Sequence, residues 1–301
     1  MADFNRRSTA EQVTDGLDLS GKQVLVTGVN SGLGYEAMRV LAMRGAHVFG
    51  AARTLDKAKE ACDSVAGDTT PVVCELENPD SVVQCAQSVI QQCEALDILM
   101  NNAGIMSPAE LQLNHNYGVA LEAQFATNHM GHFVLVNRLL EHLKKAEQGR
   151  IVALSSGGHV QVPKGGIDFD NLDCSKGYNA WQTYGQSKLA NILMAKELAR
   201  QLQGTSVTAN AVHPGVIRTN LSRNMGGFFS SLISFFATFF ERTVAQGAAT
   251  QVYVATRPEL ANTSGEYFAD CQVKTPSDYA QDAALAQQLW EHSLRLAGEF
   301  L

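Results

Sequence analysis

Tyr184 and Lys188 stand four positions apart in TYGQSK, a spacing that puts a phenol and an ammonium on one face of a helix. A tyrosine ordinarily titrates near pH ~10, and an adjacent cation lowers that value by roughly 1–3 units, into reach of general acid–base work. The expectation is a phenol depressed by Lys188. The same pair also fits a plain surface contact, because the spacing is common. Upstream, residues 27–34 read TGVNSGLG. Gly28, Gly32 and Gly34, with Asn30, Ser31 and Leu33 between them, permit a tight turn and close approach of backbone to a pyrophosphate on a helix N-terminus. The spacing is G-x-x-x-G-x-G rather than the commoner G-x-G-x-x-G, and an ordinary strand–helix turn is the alternative. Residues 51–54 read AART. An acid here would bind an adenosine 2′-hydroxyl; Arg53 instead offers a charge to a 2′-phosphate, which favours NADP(H) over NAD(H). A solvated turn residue is the other reading of Arg53.

These residues need elements to position them. From residue 22 onward, short β-type runs alternate with helical patterns. Strands are expected at 23–27, 47–51, 71–74, 98–101, 150–155 and 207–212. Helices are expected at 35–44, 55–65, 79–95 and 184–203, with another ending near 145. Strands apolar on both faces imply a parallel sheet covered by helices. The fold class is α/β: a single doubly wound Rossmann-type domain whose central parallel sheet of about seven strands carries helices on both faces. Residues 1–19 read as a polar N-terminal arm and 20–301 as the domain, with a substrate lid over about 218–243. No linker-like stretch divides the chain.

In this frame further motifs fall into register. Asn101-Asn102-Ala103-Gly104 follows strand four, Ser155-Ser156 follows strand five, and His213-Pro214-Gly215 follows strand six. With the glycine turn and Tyr184/Lys188 they resemble the short-chain dehydrogenase/reductase family from about residue 20 to the C-terminus. The resemblance implies that Tyr184 is the proton donor in reduction and the base in oxidation. It implies that Lys188 holds the nicotinamide ribose and that Ser156 binds the substrate oxygen. Asn128, in Ala126-Thr127-Asn128-His129, matches the asparagine that anchors a water in a proton relay. Asn102, Ala103 and Gly104 would line the adenosine side, and Pro214, Gly215, Ile217 and Thr219 would pack on the carboxamide. Glu75-Leu76 stands where many relatives have Asp-Leu, facing the adenine. The insertion with Ile167-Asp168-Phe169-Asp170-Asn171-Leu172, the GQSKLANIL run after Tyr184 and the late Ser264-Gly265-Glu266-Tyr267-Phe268 resemble the retinol-dehydrogenase-like branch, which includes WW-domain oxidoreductases and chloroplast-envelope relatives. Such members act on retinoids, steroids or other lipophilic compounds. Relatives commonly dimerise through the helices after Thr127 and from Tyr184, so a homodimer is one expectation.

Composition limits the alternatives. A net charge of −7 with scattered Lys and Arg argues against nucleic acid as a partner. The six cysteines form no C-x-x-C pair and the eight histidines no ligand spacing, so no metal is expected. The N-terminus lacks the apolar core of a secretory signal, and residues 227–240 are too short to span a bilayer. A cytoplasmic, non-secreted protein is expected. Six of the thirteen phenylalanines lie within residues 228–240 at helical spacing. Core packing, a greasy lid over a lipophilic small-molecule substrate, and a peripheral membrane or subunit contact all fit that stripe. The leading activity is an NADP(H)-dependent alcohol dehydrogenase/carbonyl reductase. The alternatives are carbon–carbon double-bond reduction and a non-catalytic cofactor-binding scaffold.

Overall fold

A computed structural model describes residues 4–215 and 242–301. β-Branched and aliphatic runs make the strands, and each early strand returns through a helix. In chain order the elements are α1 (Ala10–Val13), β1 (Gln23–Thr27), α2 (Gly32–Met43), β2 (His47–Ala52), α3 (Leu55–Asp63), β3 (Thr69–Val73), α4 (Pro79–Gln92) and β4 (Ile98–Asn101). A short ribbon, Leu113–Asn114 with Leu121–Glu122, precedes a long helix, α5, over residues 123–145. Then follow β5 (Arg150–Leu154), α6 (Ala180–Gln201), β6 (Thr208–His213), α7 (Val244–Thr256), β7 (Tyr267–Ala269), β8 (Gln272–Val273), α8 (Asp278–Gln281) and α9 (Ala283–Ala297).

The strands lie in the order β3-β2-β1-β4-β5-β6-β7-β8. Seven are parallel, and the two-residue β8 turns back antiparallel on β7. Pro71 is tolerated because β3 is an edge strand with one free ladder side. Alternation splits the core: Leu25, Phe49, Leu99 and Ile151 face one side with α4, α5, α6 and α9, whereas Val24, Val26, Val48 and Met100 face the other with α2 and α7. The strand order reverses between β1 and β4, so the crevice at their carboxyl ends is where such sheets take ligands.

Two expectations change. The segment read as a polar arm is packed: Ala10 and Val13 of α1 are fully buried in the second core, and Phe4 meets Tyr253 edge-on at 5.8 Å. Only two of its apolar side chains face inward on α1, too few to register as periodicity. The helix carrying Tyr184 also begins earlier than residue 184. Asn179 caps it, accepting from the amides of Trp181 and Gln182, so Tyr184 lies in the second turn.

The two helices through which relatives are expected to dimerise are packed in part by the chain's own C-terminal helix. Trp290 of α9 packs edge-on against Phe133 of α5 at 4.8 Å, and Ser293 bonds His129 at 2.8 Å. α9 also lies along α6, most of whose side chains are buried. Among the described residues no helix is long and apolar enough to cross a membrane.

Candidate active site

The glycine turn leaves β1 with Gly28 at φ +77° and Gly32 at φ +62°, conformations that disfavour side chains. A Cβ on Gly34 would stand 2.3 Å from the Gly28 carbonyl oxygen, so the turn closes only without one. Asn30 and Ser31 are exposed at its tip, while the Leu33 side chain is buried and its carbonyl accepts from Gln251 at 3.1 Å. Ser31 makes no side-chain cap, unlike the residues that cap α3, α4, α6 and α9. The first-turn amides of α2 therefore keep their capacity for an anion. Arg53, at the end of β2, is exposed and has no hydrogen-bond or ion-pair partner among the described residues.

Across the crevice, Thr27 organises the Asn101–Gly104 run. Its hydroxyl accepts from the amides of Asn102 and Ala103, both at 3.0 Å, and its carbonyl accepts from Asn102 Nδ2 at 2.8 Å. The third contact of that hydroxyl is His132 Nε2 at 2.9 Å. His132 Nδ1 lies 3.0 Å from the Asn128 carbonyl, which only accepts; Nδ1 therefore carries the proton and Thr27 donates to Nε2. Burial lowers the His132 pKa to about 4, which keeps that neutral form. Both side-chain polar atoms of Asn101, and Asn102 Oδ1, are buried without a partner among the described residues. A buried polar group in that condition calls for a ligand or water. The glycine cradle, the uncapped helix and these orphaned atoms fit a dinucleotide.

The adenine-side expectations divide. Glu75 is exposed, with its amide held by Ser81 Oγ at 3.1 Å. The Leu76 side chain is in the core, and its carbonyl lies where a Cβ on Gly131 would reach within 2.4 Å. Of these two side chains only that of Glu75 is exposed.

Tyr184 and Lys188 lie one turn apart on α6, both buried. Lys188 Nζ is 5.8 Å from the phenol ring centroid and donates to the Leu154 carbonyl at 3.1 Å. The expected depression of the phenol is not found. Burial raises the Tyr184 pKa by more than the Ser156 hydroxyl beside it lowers it, and burial pushes Lys188 down to about 8. Burial sets the direction of the phenol's shift, while the ammonium stands over the ring and donates to a carbonyl.

Ser155 and Ser156 separate cleanly. Ser155 is buried and donates to the Lys188 carbonyl at 2.7 Å. Ser156 is half-buried and caps the turn Gly157–Val160, its Oγ accepting from the Gly158 amide at 3.1 Å. A Cβ on Gly158 would touch Tyr184 at 3.2 Å and Ser156 Oγ at 3.5 Å, so the two hydroxyl-bearing side chains flank this glycine. Asn128 sits in a π-helical turn of α5 (Ala126–Met130). Its Oδ1 accepts from Ile105 N at 2.8 Å, and its Nδ2 donates to Ile105 O and Ser187 Oγ. Both amide protons are used, and the side chain ties the loop after β4 to α6. Gly104 lies against it; a Cβ there would reach Asn128 Oδ1 at 2.8 Å and Lys188 Nζ at 3.3 Å.

On the far side, the Pro214 carbonyl accepts from Arg242 at 3.3 Å, Gly215 has φ +90°, and Arg242 pairs with Asp270. Ile217, Thr219 and residues 218–241 of the expected lid lie outside the described residues. Sequence reasoning did not reach His132, Arg242 or Trp181. Trp181 stands edge-on to Tyr184 at 6.4 Å between centroids; its position three before the tyrosine was the available signal.

A family model described as short chain dehydrogenase matches residues 22–167 and 171–227. The chain is 41% identical to the short-chain dehydrogenase TIC 32 A, chloroplastic, of Brassica napus, over 97% of this chain and 94% of that protein. It is 38% identical to human retinol dehydrogenase 13, over 93% and 86% respectively. A crystal structure of an uncharacterised protein from Mycobacterium paratuberculosis superposes with a TM-score of 0.77 at 31% identity, covering 94% of this chain and 96% of that one.

Proposed function

The chain belongs to the short-chain dehydrogenase/reductase family, in its retinol-dehydrogenase-like branch, and from that premise we propose that it is an NADP(H)-dependent alcohol dehydrogenase/carbonyl reductase for lipophilic alcohols, aldehydes or ketones. The observation that carries the reading is the convergence of Tyr184, Ser156 and Lys188 beside a glycine-lined crevice. A bound nicotinamide dinucleotide supplies or accepts the hydride. Gly28, Gly32, Gly34 and the first turn of α2 would hold its pyrophosphate, and Arg53 its 2′-phosphate. Asn102, Ala103 and Gly104 would take the adenosine side, Lys188 the ribose hydroxyls, and Pro214 and Gly215 the carboxamide.

Tyr184 gives its phenolic proton to the substrate oxygen in reduction and takes it back in oxidation. Burial keeps the phenol protonated near neutral pH, which suits the acid role. Ser156 uses a lone pair on Gly158, leaving its O–H to bond the same substrate oxygen. Asn128 fixes the loop after β4 against α6, so the two sides of the crevice keep their spacing.

The lipophilic substrate class, retinoid- or steroid-like, is supported by the relative named a retinol dehydrogenase, by Trp181 beside the phenol and by the phenylalanine-rich composition of residues 228–240. Those phenylalanines also support contact with a membrane surface. The reading keeps a cytoplasmic location, although a relative named chloroplastic belongs to the same branch.

NADP(H) preference rests on Arg53, exposed and without a partner among the described residues at the end of β2, where an acid would serve NAD(H). Arg53→Ala is expected to weaken NADPH binding about ten- to a hundred-fold while leaving NADH nearly unchanged, the worth of a charge-assisted contact of roughly 1.5–3 kcal/mol. Titration of both cofactors checks this. Equal loss for the two, or a wild-type preference for NADH, overturns it.

A further inference from the structure

We propose that His159 is a positioning residue for Ser156, holding the turn that aims the serine hydroxyl at the substrate oxygen; the inference rests on the role given to Ser156 above. Ser156 is half-buried; Ser155 anchors the chain before it, but the two residues after it are glycines without side chains to hold the turn. His159 is the first residue after it with an anchoring side chain, and only 4% of that residue is exposed. Its Nδ1 lies 2.7 Å from the Ser156 carbonyl, and its Nε2 lies 3.1 Å from the Ser277 amide. A carbonyl only accepts and an amide N–H only donates. The two bonds therefore demand one neutral tautomer, with the proton on Nδ1 and a lone pair on Nε2.

The ring is braced on Tyr267 of β7, 5.1 Å between centroids. The His159 backbone amide also reaches the Ser156 carbonyl, at 3.2 Å. Ser156 is thus clamped through its own carbonyl and His159 to Ser277, 118 positions beyond the histidine at the start of α8. The opposite side of the turn is held too: the Gly157 amide donates to His213 Nδ1 at 3.0 Å. Burial lowers the pKa of both imidazoles, keeping them neutral for these bonds. The bond from Nδ1 aims Ser156; the bond to Ser277 only seats the ring.

Two amide replacements separate these roles. His159→Asn puts an N–H donor where Nδ1 stands, whereas His159→Gln puts an acceptor where Nε2 stands. With a lipophilic aldehyde as probe, His159→Gln and His159→Ala should lose roughly 10–100-fold in kcat, the scale of a misplaced reacting group. His159→Asn should stay within a few-fold of wild type. Affinity for NADPH should be unchanged in all three. Nitrogen NMR of the wild-type chain should find His159 neutral and protonated on Nδ1 at neutral pH. Wild-type kcat in folded His159→Gln, an Asn variant no better than Gln, or protonation on Nε2 would each overturn the proposal. Failure of the acid–base reading itself would look different: the wild-type chain would not turn over.

Discussion

Burial acts on Tyr184 and Lys188 in opposite senses, raising the phenol and lowering the ammonium, and both shifts favour the neutral form. The lysine shift has a consequence for stability with a definite sign. Unfolded, the side chain keeps its proton to about pH 10.5; folded, only to about 8. Between those values the unfolded chain binds more protons, so this group makes stability rise with pH across the window and imposes its full cost below pH 8. Lys188→Met should therefore raise the Tm of the cofactor-free protein at pH 7. The Leu154 carbonyl keeps a partner in that variant, because Asn191 Nδ2 also donates to it at 3.0 Å. The advantage should shrink as pH rises from 8 towards 10.5. A Tm difference that is negative, or flat with pH, would contradict the assignment. Spacing alone was enough to find Tyr184 and Lys188 as a pair. It could not give the direction of the phenol's shift, because desolvation depends on what the fold places around the ring. His159 was illegible for the same reason, its second partner lying on a distant segment.

At the scale of elements, the β1–α2 turn is the best test of a feature read from sequence. Three glycines predicted a tight turn, and Gly34 meets the Gly28 carbonyl so closely that no side chain fits. Overpacking of this kind costs typically 1–3 kcal/mol. Gly34→Ala should open the turn and weaken dinucleotide binding at least about tenfold, with a modest fall in Tm. Calorimetric titration together with a thermal melt checks this; unchanged affinity in the folded variant would remove the cradle from the account. The alternating elements of the sheet were equally legible, since buried parallel strands leave uninterrupted apolar runs. α1 was not, being four residues long and polar on its outer side. Nor was the π-helical turn at Asn128, since no residue pattern over residues 126–130 distinguishes it from the α-helix that flanks it.

The whole molecule brings the proposed acid–base residues and the proposed cofactor cradle to the carboxyl ends of the central strands of a single sheet. The order reversal between β1 and β4 opens the crevice, α6 delivers Tyr184 and Lys188 beside it, and the turn after β5 begins with Ser156. α9 closes the opposite face over α5 and α6, a covering that amphipathic pattern could not distinguish from a subunit contact. The central claim is that this arrangement moves a proton through one phenol while hydride moves between nicotinamide and substrate. The direct measurement is single-turnover oxidation of NADPH by a lipophilic aldehyde, followed by nicotinamide absorbance, in the wild-type chain and in Tyr184→Phe. The account predicts a rate roughly 10²–10⁴-fold lower in the variant, with NADPH affinity within a few-fold of wild type. Equal rates in the two proteins would contradict it.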